Sequence, residues 1–434
     1  MKESPYFKEY EFECRCGKCK LPANVPSDEL IDILTEIREH FGQCLRINSG
    51  YRCPEHNKRV GGASQSQHCY SEDTEILTNN GWKTYKTINP KKDKAFTLNF
   101  DRGKIELCKI DDFICYNVKK AKMYNFQNAY NDILVTDKHR IIHKLRADYN
   151  SKEWNIDFAK NIENRRFKLI QAGFNDNESK KSLKFEYACV AILSKGRIDS
   201  FNRIIFDLYN DCSLYHIQRV FENINISLYK ESLKGSYTRL EIPEKDTKQF
   251  IKLLTKNNII PLQEWLKLSV DNIRQLIREF DYYLGENPDN KSYRLRMINS
   301  ENRINLQTLA CVVGWTTINH EQTNKVSIFE KDISEIRDYS PSIITYTGKV
   351  WCISTENETL ISKRNNKISI QGNCIGSAAD FVVFKVPTEE VYKYVIEKYG
   401  DRELGIAIKK NPTNPYAGFV HIDTRGKKAR WEYK

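Results

Sequence analysis

Two stretches far apart in the chain are halves of one interrupted pattern: Ser66-Gln67-His68, followed by Cys69-Tyr70-Ser71-Glu72-Asp73, and Gly372-Asn373, followed by Cys374-Ile375-Gly376-Ser377-Ala378-Ala379-Asp380. Up to His68 the chain is compositionally ordinary. From Cys69 to about Asn373 it becomes richer in Lys, Asn and Ile, and then the earlier character returns. Deleting residues 69–373 joins the outer pieces into Ser-Gln-His-Cys-Ile-Gly-Ser-Ala-Ala-Asp. Neither half makes chemical sense alone, because the polar residues of the joined string lie on opposite sides of the break.

The flanks carry clear local signals. Ser27 suits a helix N-cap, with Asp28 and Glu29 placed to favour the positive end of the helix dipole. Leu30, Ile33, Leu34 and Ile37 form an apolar stripe, and Gly42 marks the stop. Leu45 to Arg52 alternates like a strand ending in a turn, and Pro54 opens a short helix toward Gly61-Gly62. A second helix is predicted over Thr388 to Tyr399, ending at Gly400.

Composition bounds the rest. The 434 residues, 40% hydrophobic and 29% charged, suit two or three packed domains and exclude a disordered chain. No apolar run reaches membrane-spanning length, and the polar start MKESPYFKEYEFECRC predicts a cytoplasmic precursor without signal peptide. Thirteen cysteines in such a chain suit thiolate chemistry better than a disulfide framework. The net charge of +12 falls mostly on the middle segment and suits nucleic-acid contact or a solvated lysine-rich surface.

The joined string resembles the Ser-x-His-x-x-Gly-x-Ala-x-Asp signature of zinc D-Ala-D-Ala carboxypeptidases and related peptidoglycan peptidases, which share a fold with hedgehog signalling domains. Ser49-Gly50-Tyr51-Arg52 upstream and Phe419-Val420-His421-Ile422-Asp423 downstream extend the resemblance. It implies an α+β zinc peptidase built from residues 1–68 and 374–434, with His68, Asp380 and His421 as zinc ligands. Arg52 would hold substrate or the developing oxyanion. Zinc there would supply a nucleophile near neutral pH and polarise the scissile carbonyl, and the substrates would be peptidoglycan peptides. Relatives often carry a Glu three residues before the last His, or a His two before it; here those positions are Gly418 and Phe419. Strand alternation puts Asp423 on the face of His421, making it the candidate base. Cys14, Cys16 and Cys19 suit either a structural metal or reduced thiols.

The middle segment resembles an intein. Cys69 to Trp82 is similar to the opening block, Val135-Thr136-Asp137-Lys138-His139 to the internal Thr-x-x-His block, and Val350-Trp351-Cys352-Ile353 with Lys367 to Cys374 to the closing blocks. The resemblance implies protein splicing without a cofactor. The Cys69 thiol attacks the His68 carbonyl, Thr136 and His139 activate that peptide, Cys374 takes over the acyl group, and Asn373 cyclises. Cys352 stands where Asp or Cys is usual. Gly372 departs from the family, which often has His there. An all-β splicing domain is expected over 69–150 and 330–373.

Between them, 151–329 is expected to be an inserted domain, helical from about 180 to 325 and similar to LAGLIDADG homing endonucleases. Tyr187 to Ile198 and Leu276 to Glu286 resemble the paired motif helices. The acidic positions that would hold metal are Lys195 and Leu284, with Glu286 displaced by two, so the resemblance implies a degenerate nuclease whose partner is DNA, bound through the basic surface. Three competing readings follow: a self-splicing precursor of a peptidase, an active homing endonuclease with incidental flanks, and a non-catalytic zinc-stabilised cell-wall binding module. A phage-associated or wall-released product is expected for the first.

Overall fold

A computed structural model describes residues 3–17, 21, 26–51, 69–145, 154–162, 167–175, 177–178, 181–209, 212–233, 237–286, 292–331, 333–336, 341–373, 378–402, 404–424 and 428–433. The chain is mixed α/β and mostly sheet.

The strand Leu45–Ser49 pairs antiparallel with Ala378–Val383, so chain from both sides of the middle segment lies in one sheet. A bulge between Ile47 and Ser49 shifts the register so that Ser49 faces Asp380. The sheet continues through Phe419–Asp423, Gly405–Lys409 and Ala429–Glu432. The helix Asp28–Phe41 covers it as its pattern predicts. Ser27 Oγ accepts from the Leu30 N–H at 3.3 Å, and Gly42 takes the left-handed φ of 59° that closes a helix. The helix Thr388–Tyr399 also forms, with Gly400 after it. Phe7, Phe12, Leu30, Leu34, Ile37, Phe381, Val395, Ile406 and Ile422 are buried together in a core drawn only from the two flanks.

The segment from Cys69 builds its own core. Tyr70–Ser71, Ser342–Ser354, Asp112–Gln127 and Asp132–Thr136 close into a barrel. Val350, Trp351, Cys352 and Ile353 are all buried, an unbroken run rather than an alternation, because this strand is covered on both faces. The barrel strands Asp112–Gln127 and Ser342–Ser354 are long, where short runs were expected. A seven-stranded sheet carries Glu75–Thr78, Thr359–Arg364 and Lys367–Gly372.

The inserted segment is not simply helical. Helices Lys184–Lys195 and Val270–Leu284 are accompanied by a four-stranded sheet containing Gly196–Ile198, Ile204–Tyr209, Tyr229–Leu233 and Tyr237–Glu241. A three-stranded sheet of Tyr293–Arg296, Thr316–His320 and Lys325–Phe329 follows. Strand pairs such as Leu208 with Thr238 join positions well apart in sequence, which a local periodicity does not reveal. The strands Asn155–Phe158 and Phe167–Ile170 form a four-stranded sheet with Arg140–Leu145 and Ile333–Ile336.

Candidate functional site

Cys69 begins the barrel, and its buried position follows from Tyr70, which pairs with Trp351 on one side and Val135 on the other. This bridge sets Cys69 beside Thr136 at the end of Asp132–Thr136. The Cys69 N–H donates to Thr136 Oγ1 at 2.9 Å, and the Thr136 N–H donates to the Cys69 carbonyl at 3.0 Å. The Cys69 nitrogen is the amide nitrogen of the His68–Cys69 peptide bond, so a buried hydroxyl is aimed at that bond. His139 follows in a turn, its N–H donating to the Thr136 carbonyl at 3.0 Å. Its buried ring meets the Tyr70 ring edge-on, with centroids 4.3 Å apart.

The far end of the segment arrives at the same place. Tyr70 Oη donates to the Gly372 carbonyl at 3.4 Å, and Asn373 is fully buried. The Asn373 N–H donates to the Glu358 carbonyl at 2.9 Å, and its Nδ2 donates to Thr355 Oγ1 at 2.9 Å. Cys352 is buried in the barrel, next to Trp351, its Sγ 3.3 Å from the Ile353 carbonyl. The departure at Gly372 has a steric reason. A Cβ there would lie 2.6 Å from the Arg140 Cβ and 3.0 Å from the Arg140 carbonyl oxygen. Cys69, Thr136, His139 and Asn373 are thus gathered around Tyr70, while Cys374 lies outside the described residues.

In the flanking sheet, Asp380 and His421 are direct cross-strand partners, and Asp423 follows His421 by one strand repeat. His421 Nδ1 and Asp380 Oδ1 are 2.6 Å apart, and His421 Nε2 and Asp423 Oδ2 are 2.8 Å apart. Burial works against a charged imidazole, but the hydrogen bonds to Asp380 and Asp423 outweigh it and hold the His421 pKa above its ordinary value. The carboxylates grip opposite ring nitrogens, so these three do not converge on one point. Among the described residues no three donors do. Asp380 and His421 are suitable zinc donors in chemistry and proximity. His68 and Arg52 lie outside the described residues, as do the Pro54 helix and Cys19. The missing family Glu also has a packing reason: a Cβ at Gly418 would run into the Lys409 carbonyl.

Lys195 and Leu284 end the helices Lys184–Lys195 and Val270–Leu284, so neither helix presents a carboxylate there. Glu286 is held by Arg296 at 3.0 Å and Lys325 at 2.5 Å, and its pKa is lowered by the Lys325 hydrogen bond. No helix among the described residues is long and apolar enough to cross a membrane. Sequence reasoning missed Tyr70 and Thr355. A tyrosine after the first cysteine and a threonine in a turn carry no motif, and their importance comes from contacts across 302 and 18 positions.

Residues 5–93 match the family model described as Peptidase M15. That match runs past Cys69 into Tyr70–Ser71, Glu75–Thr78 and Gly81–Lys83, which belong to the barrel and the seven-stranded sheet, not to the flanking sheet. No curated protein matches. Among solved structures, a glutathione-linked, splice-inactive AceL NrdHF class 3 split intein is 9% identical, over 71% of this chain and 99% of its own, with a TM-score of 0.28. I-DmoI in complex with its target DNA is 14% identical, over 35% of this chain and 88% of its own, with a TM-score of 0.26. The N-terminal LAGLIDADG domain of DUF199/WhiA is 12% identical, over 36% and 80% of the two chains, with a TM-score of 0.25. All three scores fall below one half, and none of these likenesses carries weight for function.

Proposed function

We propose that the chain is a self-splicing precursor: residues 69–373 excise themselves, joining His68 to Cys374 and releasing a zinc-dependent peptidase of peptidoglycan peptides. The observation that carries this reading is the 2.9 Å hydrogen bond from the Cys69 N–H to Thr136 Oγ1. In the first step the Cys69 thiol adds to the His68 carbonyl carbon, the bond to the Cys69 nitrogen breaks, and that nitrogen leaves as an amine. Thr136 Oγ1 accepts the Cys69 N–H and fixes the orientation of that nitrogen, and His139 delivers the proton it needs on leaving. The Cys374 thiol then takes the acyl group. Asn373 Nδ2 closes on its own carbonyl, freeing the Cys374 amine, and an S-to-N shift makes the new peptide bond. Cys352, in the barrel strand, tunes the Asn373 step.

In the joined product, His68, Asp380 and His421 would hold zinc, which would polarise the scissile carbonyl and supply a nucleophile. Asp423 accepts a proton at Oδ2, and Arg52 holds the substrate carbonyl oxygen. The pairing of Leu45–Ser49 with Ala378–Val383 supports this reading, since ligation then needs no refolding of the flanking sheet.

The test is thiol-triggered cleavage of the purified chain. Dithiothreitol releases residues 1–68 as a free acid or thioester if Cys69 forms the thioester, and Cys69→Ala prevents it. In an Asn373→Ala chain, which keeps the first junction because excision cannot finish, resistance to cleavage under denaturant-free conditions contradicts the proposal.

A further inference from the structure

The turn between Ser342–Ser354 and Thr359–Arg364 holds Asn373 through both its main chain and its side chain. Glu358 closes that turn, donating its N–H to the Thr355 carbonyl at 3.0 Å, and sits at a left-handed φ of 55°. In that conformation its own carbonyl accepts the Asn373 N–H at 2.9 Å, while its carboxylate takes Arg140 Nη1 at 3.0 Å. A non-glycine residue adopts such a φ only when its surroundings demand it. Here the Arg140 ion pair and the Asn373 contact are the surroundings.

The side-chain contact can be assigned a direction. Thr355 Oγ1 donates its single hydrogen to the Thr359 carbonyl at 3.2 Å. It therefore faces Asn373 only as an acceptor, and the atom 2.9 Å away must be the amide nitrogen, not the amide oxygen. Asn373 Oδ1 is buried with no hydrogen-bond partner among the described residues. The amide is thus oriented by one bond, and that bond is made to the atom that must attack.

We propose that Thr355 is the positioning residue for cyclisation of Asn373, in the place where Gly372 leaves no room for a polar side chain. This rests on the splicing reading. The step forms a bond between Asn373 Nδ2 and the Asn373 carbonyl carbon and breaks the bond from that carbon to the Cys374 nitrogen. Nδ2 loses one proton and the Cys374 nitrogen gains one, leaving a succinimide and an amine with no other reactant. By holding Nδ2 in one rotamer, Thr355 removes the freedom that otherwise separates the nucleophile from its carbonyl. By accepting from Nδ2, it leaves that nitrogen richer in electrons as attack begins.

The test compares the full chain with Thr355→Val and Thr355→Ser, following release after Asn373 by intact mass and thiol-triggered cleavage before Cys69 separately. Thr355→Val, of the same shape, is expected to slow release after Asn373 about tenfold or more. The cleavage before Cys69 keeps its wild-type rate, so the branched species accumulates, and Thr355→Ser recovers most of the loss. Wild-type release by Thr355→Val overturns the proposal. So does an equal fall at both junctions that Ser does not rescue, since that is the mark of a packing role. A wild type that cuts at neither junction removes the splicing reading and this inference with it.

Discussion

Thr136 and Tyr70 between them bring the two ends of the middle segment together: Thr136 Oγ1 accepts the Cys69 N–H, and Tyr70 Oη donates to the carbonyl of Gly372, next to Asn373. The barrel strands Tyr70–Ser71 and Asp132–Thr136 thus touch both ends of the segment. Under the splicing proposal, barrel closure puts the N-terminal and C-terminal steps in one buried environment, and mutations near Tyr70 are expected to affect both.

Thr136→Val removes the hydroxyl that accepts the buried Cys69 N–H and orients the departing nitrogen. A hydrogen bond of this kind contributes about 1 kcal/mol, so thiol-triggered cleavage before Cys69 should slow by roughly fivefold or more. The rate of residue 1–68 release over time measures this, and an unchanged rate would remove Thr136 from the first step.

Gly372→His restores a side chain common at that position in the family yet should not speed excision. Its Cβ would lie 2.6 Å from the Arg140 Cβ, and overpacking of this kind costs about 1–3 kcal/mol. Urea unfolding in an Asn373→Ala background reports that loss through a lowered midpoint. A stable, faster-splicing Gly372→His variant would show that the Arg140 stem yields easily.

The flanking sheet should exist before excision. Phe381 is fully buried in the flank core, and Phe381→Ala should destabilise that core by about 3–5 kcal/mol. Limited proteolysis of the splicing-dead precursor should then cut within 378–423 while the barrel around Trp351 stays resistant. Equal loss of protection in both regions would mean that the two cores fold as one unit.

Metal should follow ligation. The joined product is expected to hold about one zinc per chain, and His421→Ala or Asp380→Ala should abolish it in elemental analysis. In the precursor, the two carboxylates occupy both nitrogens of His421, so retention should be weaker. A joined product that never retains zinc, with wild-type His421 and Asp380, would sink the peptidase half of the proposal.

With Lys195 and Leu284 at the helix ends and Glu286 tied to Arg296 and Lys325, the inserted segment should not cut DNA. Incubation with magnesium and the uninterrupted target gene should leave that gene intact, and site-specific cleavage would favour the endonuclease reading.

Much of the local structure was legible in the residues themselves. The caps at Ser27 and Gly42 mark one helix, and strand alternation correctly put Asp423 beside His421. The contact of Thr136 with Cys69 was legible only through a family pattern, because 67 positions separate the two. Thr355 was not legible at all: its role depends on a turn whose shape is set by Glu358 and Arg140. The strands of the inserted segment were hidden for a related reason, since their partners, such as Asp207 with Arg239, lie beyond any local window.

The central claim is that the middle segment removes itself, and intact-mass analysis of the chain after expression tests it most directly. The account predicts two new species, the excised segment and the joined flanks, in place of the 51.0 kDa precursor, with Cys69→Ala combined with Asn373→Ala leaving only the precursor. A wild-type chain that stays whole at every temperature and in reducing buffer would contradict it.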